Sequence, residues 1–207
     1  MGGGAAASPP GAGRRHLCRR RRHGGQAARG AERMTGPYRI RPGRPDEIRL
    51  VQAIEVAAAS RFGDIGLPEI AAFDPAELKE VLLRAWEGRL LVTADAEDRP
   101  VAFALFGEID GTLHIEELDV HPDHARRGLG AALIERLAAI ARERGLPALT
   151  LSTFRDVPWN APYYSRLGFE PIPDEALGPG LAAIRDMIAA KGVDIIPRLF
   201  MRRVVAG

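Results

Sequence analysis

Residues 121–137, HPDHARRGLGAALIERL, restrict the fold of this chain more than any other segment. Pro122 is expected to end the strand that precedes them, and a helix is expected to begin near Gly128. Leu133 and Leu137 recur at helical spacing, so one face of this helix must be buried against a core. The segment therefore predicts a strand, a turn and an amphipathic helix in direct succession.

The turn in this segment has the chemistry of a phosphate-binding site. The first N–H groups of a helix have no partner within it and lie at the positive end of the helix dipole. Gly128 and Gly130 have no Cβ atom, so an anion can approach the backbone, while Arg126 and Arg127 add positive charge. The glycine and acid pattern of dinucleotide-binding folds is incomplete, and no P-loop motif occurs. The predicted ligand is therefore a pyrophosphate group, bound neither by a dinucleotide-binding fold nor by a P-loop.

The rest of the chain alternates between strand and helix patterns. The helix at 74–88 is expected to have Asp74 as its N-cap and Pro75 at its first position, and residues 60–73 are expected to form a loop. The order of elements indicates an α+β (mixed α/β) fold, with a central, mostly antiparallel, twisted sheet and helices on both faces. Strands are predicted at residues 38–42, 90–96, 100–110, 112–120, 148–154, 169–172 and 198–205, and the other helices at 46–59, 128–145, 160–168 and 180–192.

The strand before the turn changes phase along its length. Leu113 and Ile115 share one face by two-residue alternation, whereas Leu118 and Val120 have the opposite parity. If all four side chains belong to the core, one extra residue at Glu116–Glu117 must absorb the change as a β-bulge. A bulge bends the strand away from its neighbour, which predicts a slot where an extended ligand can pair with the backbone.

Residues 1–33 differ in composition from the rest of the chain. They contain eight arginines and one acidic residue, so this arm carries a charge of +7 and residues 34–207 carry −5. Gly, Ala and Arg offer almost nothing to bury, so the arm is expected to be disordered and need not be part of the native protein. Residues 34–207 are expected to form one domain, with a helical insertion at 174–197 before the last strand. Because the positive charge is confined to the arm, nucleic acid is an unlikely partner on this interpretation.

Composition excludes several other classes of site. Cys18 is the one cysteine of the chain, so we expect neither a disulfide framework nor a metal site. Charges interrupt the apolar runs well short of the roughly 20 residues that a bilayer requires, so no membrane association is expected. Arginine supplies 27 of the 29 basic residues, which is typical of a GC-rich bacterial genome. We therefore expect a bacterial, cytoplasmic protein.

Two motifs resemble those of the GNAT superfamily of acyl-CoA-dependent N-acetyltransferases. LDVHPDHARRGLGAAL is similar to the family's strand ending in Val-x-Pro, followed by [RQ]-x-x-G-x-[GA] at the start of a helix. NAPYYSRLGF is similar to its second motif, in which Asn, a short helix and Tyr precede Gly-Phe. The resemblance covers about residues 38–172 and 198–205. In the first motif Ala125 stands where the family has Arg or Gln, which removes one side-chain contact to the pyrophosphate.

The resemblance implies that acetyl-CoA is the co-substrate, with no metal. The backbone at the edge of the strand before the turn would pair with the pantetheine arm. A side-chain amide would also contact this arm, and the turn would hold the pyrophosphate. The implied residues are Leu118, Asp119, Val120 and Asn160 for the pantetheine arm, and Arg126, Arg127, Gly128, Leu129, Gly130 and Ala131 for the pyrophosphate.

The resemblance also implies an acid and a base. Tyr164 corresponds to the tyrosine that protonates the departing thiolate, and a phenol with a pKa of about 10 keeps its proton at neutral pH. A base is needed because an ammonium group cannot attack a thioester. Glu116 is the first choice, since family members with an acidic pair here use it to deprotonate the amine. Glu117 and His114 are the alternatives, because parity across a bulge does not rank them.

The expected reaction is direct transfer of the acetyl group to a primary amine in a ternary complex, with a small molecule as acceptor. Acids that attract a cation and aromatic side chains that cover an apolar body are expected on the acceptor side, namely Asp64, Glu69, Asp156, Phe62 and Trp159. Two alternatives stay open: a non-catalytic acyl-CoA-binding or regulatory module, and an acetyltransferase that acts on protein or nucleic acid. The sequence is also compatible with a homodimer.

Overall fold

The computed structural model describes residues 1–2, 37–192 and 195–205. Nearly all of the predicted arm at 1–33 therefore lies outside the described residues, as do residues 193–194 of the predicted insertion. The described strands are β1 (Arg39–Pro42), β2 (Leu90–Ala94), β3 (Pro100–Ile109), β4 (Thr112–Val120), β5 (Ala148–Phe154), β6 (Glu170–Ile172) and β7 (Arg198–Val204). The described helices are α1 (Ile48–Ala59), α2 (Pro68–Ala71), α3 (Leu78–Trp86), α4 (Leu129–Glu143), α5 (Ala161–Arg166) and α6 (Pro179–Ala190). None of these helices combines the length and the apolar composition needed to cross a membrane.

The strands form one sheet in the order β1-β2-β3-β4-β5-β7-β6. β4 and β5 run parallel, because α4 crosses between them, and the other neighbouring pairs are antiparallel. Side chains alternate between two cores: Leu90 and Val92 pack with α1 and α3, whereas Leu91 packs with Leu133 and Leu137 of α4. The predicted fold class is thus confirmed, a mostly antiparallel sheet covered by helices on both faces.

β4 contains the bulge that its sequence predicts. Leu105 of β3 pairs with Glu117, and the next residue, Phe106, pairs with Ile115. Glu116 is therefore the extra residue that has no partner on β3. The shift keeps apolar side chains on the α4 face on both sides of the bulge.

Beyond the bulge β4 separates from β5. The parallel pairing joins Leu113–Ile115 to Leu149–Leu151 and stops there. β4 continues to Val120 beside β3 alone, and β5 continues beside β7. The separation leaves the edge of β4 open to a ligand, and it is the feature of the fold that positions the site.

Two local predictions before β2 are wrong. α3 begins at Leu78 rather than directly after Asp74, because two side chains of α1 bind the backbone of Ala76. Glu55 Oε1 accepts a hydrogen bond from the Ala76 N–H at 3.0 Å, and Gln52 Nε2 donates to the Ala76 carbonyl at 3.0 Å. The predicted loop at 60–73 contains a 3-10 helix over Ser60–Ile65 and the short helix α2.

The region predicted as a helical insertion contains α6, between β6 and β7. The Asp110 carboxylate, in the turn between β3 and β4, accepts hydrogen bonds from the N–H groups of Gly180 and Leu181 at 2.9 Å each. Because these two donors lie in the first turn of α6, the carboxylate caps the helix and attaches it to the sheet.

Candidate active site

A cleft of about 750 Å³ opens where β4 and β5 separate. Its lining comes from both separated strands, the start of α4, the start of α5, and the segment that runs from the end of α1 to Pro75. The lining contains residues 115–120 of β4 and 151–154 of β5. It also contains residues 125–126 and 128–131 around the start of α4, residues 158–160 and 163–164 around the start of α5, and part of the segment 55–75.

The turn before α4 forms one end of the cleft. Arg126 and Gly128 both have left-handed backbone conformations, with φ of +59° and +76°. The first helical hydrogen bond runs from the Ala132 N–H to the Gly128 carbonyl at 3.0 Å, so the preceding N–H groups have no acceptor within α4. A Cβ atom on Gly130 would lie 3.1 Å from the Tyr163 hydroxyl. The turn thus presents backbone donors at a cleft wall, and a side chain at position 130 would crowd the Tyr163 hydroxyl.

The two arginines of the turn have different surroundings. Arg126 lines the cleft, together with Ala125. Arg127 turns away from it, because its guanidinium donates to the Tyr38 hydroxyl at 2.6 Å and to the Asp123 carbonyl at 3.2 Å. Of the two, Arg126 is therefore positioned to contact an anion in the cleft, whereas Arg127 stabilises the turn.

Asn160 places a side-chain amide at the start of α5. Its Nδ2 donates to Thr153 Oγ1 at 2.8 Å, while its Oδ1 is buried and accepts no hydrogen bond from the described residues. A buried acceptor without a partner costs about 1–3 kcal/mol. Since Asn160 lines the cleft, a ligand N–H group is a suitable partner for this oxygen.

Glu117 extends into the cleft beyond the bulge. Its side chain lines the cleft and is exposed to it. Burial, together with the nearby Glu55 carboxylate, raises the pKa of Glu117 to about 7, although Arg198 acts in the opposite direction. Burial and the charges of Glu117 and Glu55 also raise the pKa of Asp119 well above its ordinary value. Glu117 can therefore exchange a proton near neutral pH.

Tyr164 lies close to these carboxylates. Burial, then the charges of Glu117 and Asp119, raise the pKa of its phenol, so the hydroxyl keeps its proton. Its ring contacts Tyr163 and Phe169 edge to face, with centroid distances of 5.5 and 5.7 Å. The cleft thus brings together a carboxyl group that can accept a proton and a phenol that can donate one.

The other two candidate bases point elsewhere. Glu116 forms an ion pair with Arg84 of α3, with 2.7 Å between Oε2 and Nε. His114 is buried beneath β5, its Nδ1 is 3.0 Å from Thr150 Oγ1, and burial lowers its pKa to about 4. Glu116 is therefore neutralised by a neighbouring cation, and His114 lies outside the cleft lining.

Comparison with known proteins identifies the family. A model of the acetyltransferase (GNAT) family matches residues 52–169, more than half of the chain. The chain belongs to this family.

Solved structures of low sequence identity have the same fold. N-acetylglutamate synthase from Neisseria gonorrhoeae, complexed with coenzyme A and N-acetyl-glutamate, has a TM-score of 0.63 and 13% identity over 82% of this chain and 35% of that one. Rv2747 from Mycobacterium tuberculosis, in complex with CoA, has a TM-score of 0.60 and 18% identity over 81% and 99%. Ard1 from Thermoplasma volcanium has a TM-score of 0.59 and 18% identity over 83% and 99%. Two of these three structures contain bound coenzyme A.

The structure divides the residues that the sequence placed on the acceptor side into two groups. Phe62 and Trp159 line the cleft, with ring centroids 5.7 Å apart. Asp64, Glu69 and Asp156 are exposed and do not contribute to the lining.

The charged residues of this cleft that sequence reasoning missed include Glu55, Arg61 and Arg198. A signal for Glu55 was available, because it follows Val51 and Ile54 on the helical face that must be buried. An acid at such a position requires either a partner or a function. The two arginines have no comparable signal in the sequence.

Proposed function

We propose that the protein transfers the acetyl group of acetyl-CoA to a primary amine by direct attack, with Glu117 as the base and Tyr164 as the acid. The observation that carries the proposal is that both side chains line one cleft, where the pKa of Glu117 is raised to about 7 and Tyr164 keeps its proton. We take the acceptor to be a small molecule, because Phe62 and Trp159 offer an apolar wall within the same cleft.

The cleft fits acetyl-CoA, which would supply an activated thioester. The open edge of β4 at 118–120 offers backbone groups to the amides of a pantetheine arm, and Asn160 Oδ1 offers a buried acceptor. The N–H groups at the start of α4, with Arg126, would hold the pyrophosphate. In this assignment the missing contact at Ala125 is supplied by the backbone.

Each catalytic side chain moves one proton. Glu117 takes a proton from the ammonium group of the acceptor, which frees the nitrogen lone pair for attack on the thioester carbonyl carbon. Tyr164 gives its proton to the departing thiolate and is reprotonated from the amine nitrogen or from water in the cleft. The ammonium group loses two protons in all, one to the thiol and one to solution, so the reaction balances.

The proposal favours Glu117 over the first sequence-based choice, Glu116. A carboxylate in an ion pair with Arg84 would have to break that pair before accepting a proton. Glu117 lines the cleft, and its raised pKa matches proton transfer near neutral pH.

Release of the CoA thiol in the presence of acetyl-CoA and a panel of amines, short peptides included, tests the activity. Tyr164→Phe should keep its affinity for acetyl-CoA while kcat falls by roughly 10²- to 10⁴-fold, the usual contribution of a positioned proton donor. Tyr163→Phe is the matched control and should retain most of the rate. If acetyl-CoA binds but no amine is acetylated, the protein is a binding module instead.

A further inference from the structure

Two guanidinium groups at the acceptor end of the cleft lie over aromatic rings. Arg61 Cζ is 4.3 Å from the centroid of Trp159, and Arg198 Cζ is 4.2 Å from the centroid of Phe154. The Phe62 ring contacts both of these aromatic side chains edge to face, with centroid distances of 5.6 Å to Phe154 and 5.7 Å to Trp159. All five side chains line the cleft, so they form one wall with an aromatic centre and two cations.

An arginine that lies on an aromatic ring can still bind an anion. Stacking uses the face of the guanidinium, and the N–H groups at its edge remain available for two parallel hydrogen bonds to a carboxylate. Among the described residues no acidic side chain forms an ion pair with Arg61. Arg61 is therefore held in position by Trp159, while its hydrogen-bonding edge is not used by an acid of the protein.

The opposite charge lies on another part of the same cleft. Glu117 and Asp119 extend from β4, and Glu55 extends from α1. Arg61 and Arg198 line the same cleft as these carboxylates, so its surface has an anionic part and a cationic part. A ligand that spans them would need a positive group beside the carboxylates and a negative group beside the guanidinium groups.

We propose that the acceptor is a free amino acid, and that Arg61 is the specificity-determining residue that binds its carboxylate. The inference rests on the proposed function, because it places the reacting amine beside Glu117. The aromatic rings of Phe62 and Trp159 then cover the apolar part of the acceptor. The N-terminus of a peptide or protein is disfavoured, because the carboxyl group of its first residue forms a peptide bond and carries no charge.

Acetylation of the amino acids compared with their carboxamides tests the inference in the wild-type protein. Each pair has the same side chain and the same reacting amine, and differs only in the carboxylate. For at least one amino acid, kcat/KM should exceed that of its amide by about tenfold to a hundredfold, the effect of one charge-assisted pair. Thiol release from acetyl-CoA is the measurement.

Variants of Arg61 connect that preference to the residue. Arg61→Gln should raise KM for the amino acid and abolish the preference over the amide, while Arg61→Lys should keep only part of it, since lysine lacks the planar fork. Arg142→Gln, on the exposed surface of α4, is the matched control and should leave the preference unchanged.

The outcomes separate the inference from the proposed function. If the amides are acetylated as well as the amino acids, or if Arg61→Gln keeps the preference, the inference is wrong and the proposed function stands. If neither series is acetylated while another amine is, the inference is wrong and the proposed function stands; if no amine is acetylated by protein that binds acetyl-CoA, both are wrong. The wild-type comparison decides the point even if an Arg61 variant fails to fold.

Discussion

Adjacent glutamates of β4 have opposite surroundings. Glu116 is the bulged residue and pairs with Arg84, whereas Glu117 enters the cleft with Asp119 and Tyr164. A bulge changes the face of the strand on which the following side chains lie. One residue along the chain is therefore the difference between a glutamate in an ion pair and a glutamate that is a candidate base. The chemistry of the site depends on this local geometry.

The Glu55 carboxyl should control the proton affinity of Glu117. After burial, its negative charge is the largest contribution that raises the pKa of Glu117. Glu55→Gln removes the charge and keeps an oxygen that can accept from the Ala76 N–H. The pKa of Glu117 should then fall, and because the deprotonated form is the active one, the loss of kcat on the acid side should move to lower pH.

A pH profile of kcat measures this effect, with Glu175→Gln, on the exposed surface, as the control. An acid limb that stays in place or moves to higher pH in Glu55→Gln would show that Glu55 does not act on the base.

At the scale of single elements, the turn before α4 should determine acetyl-CoA affinity. Gly128 has a φ of +76°, and a Cβ atom there would face open space at the cleft. Gly128→Val should therefore put a branched side chain where the pyrophosphate would lie, and weaken acetyl-CoA binding by about tenfold or more.

Gly88→Val is the matched control for backbone strain. Gly88 has a similar φ of +70° and similar open space, but it lies after α3 and outside the cleft lining. Both variants should lose stability by about 1–2 kcal/mol, the cost of a left-handed conformation. Calorimetry that finds equal acetyl-CoA affinity in the two variants would contradict the phosphate assignment.

Elements with a regular apolar pattern could be predicted from the sequence. The hairpin of β2 and β3, the strand β5 and the helix α4 lie where periodicity and glycine positions indicate, and the phase change in β4 predicted the bulge. The start of α3 could not be predicted. Its backbone is held by Glu55 and Gln52, more than 20 residues earlier, and a local capping pattern contains no information about such contacts.

For the whole molecule, two motifs were sufficient to predict the sheet and the region of the site. They did not predict the direction of side chains, which depends on long-range pairs. Arg84 of α3 holds the side chain of Glu116 in an ion pair, and Asp64, Glu69 and Asp156 are exposed outside the cleft lining, which contains Arg61 instead. The sequence gives the number of acids near these segments and not the directions of their side chains.

The pH dependence of kcat in Glu117→Gln and Glu116→Gln, measured beside the wild type, tests the assignment of the cleft most directly. The wild type should lose rate below about pH 7, where Glu117 becomes protonated. Glu117→Gln should be slower by roughly 10²- to 10⁴-fold at neutral pH and should recover as rising pH supplies free amine. Glu116→Gln should retain the wild-type acid limb. The opposite pattern, with a wild-type profile in Glu117→Gln and loss of the acid limb in Glu116→Gln, would contradict the account.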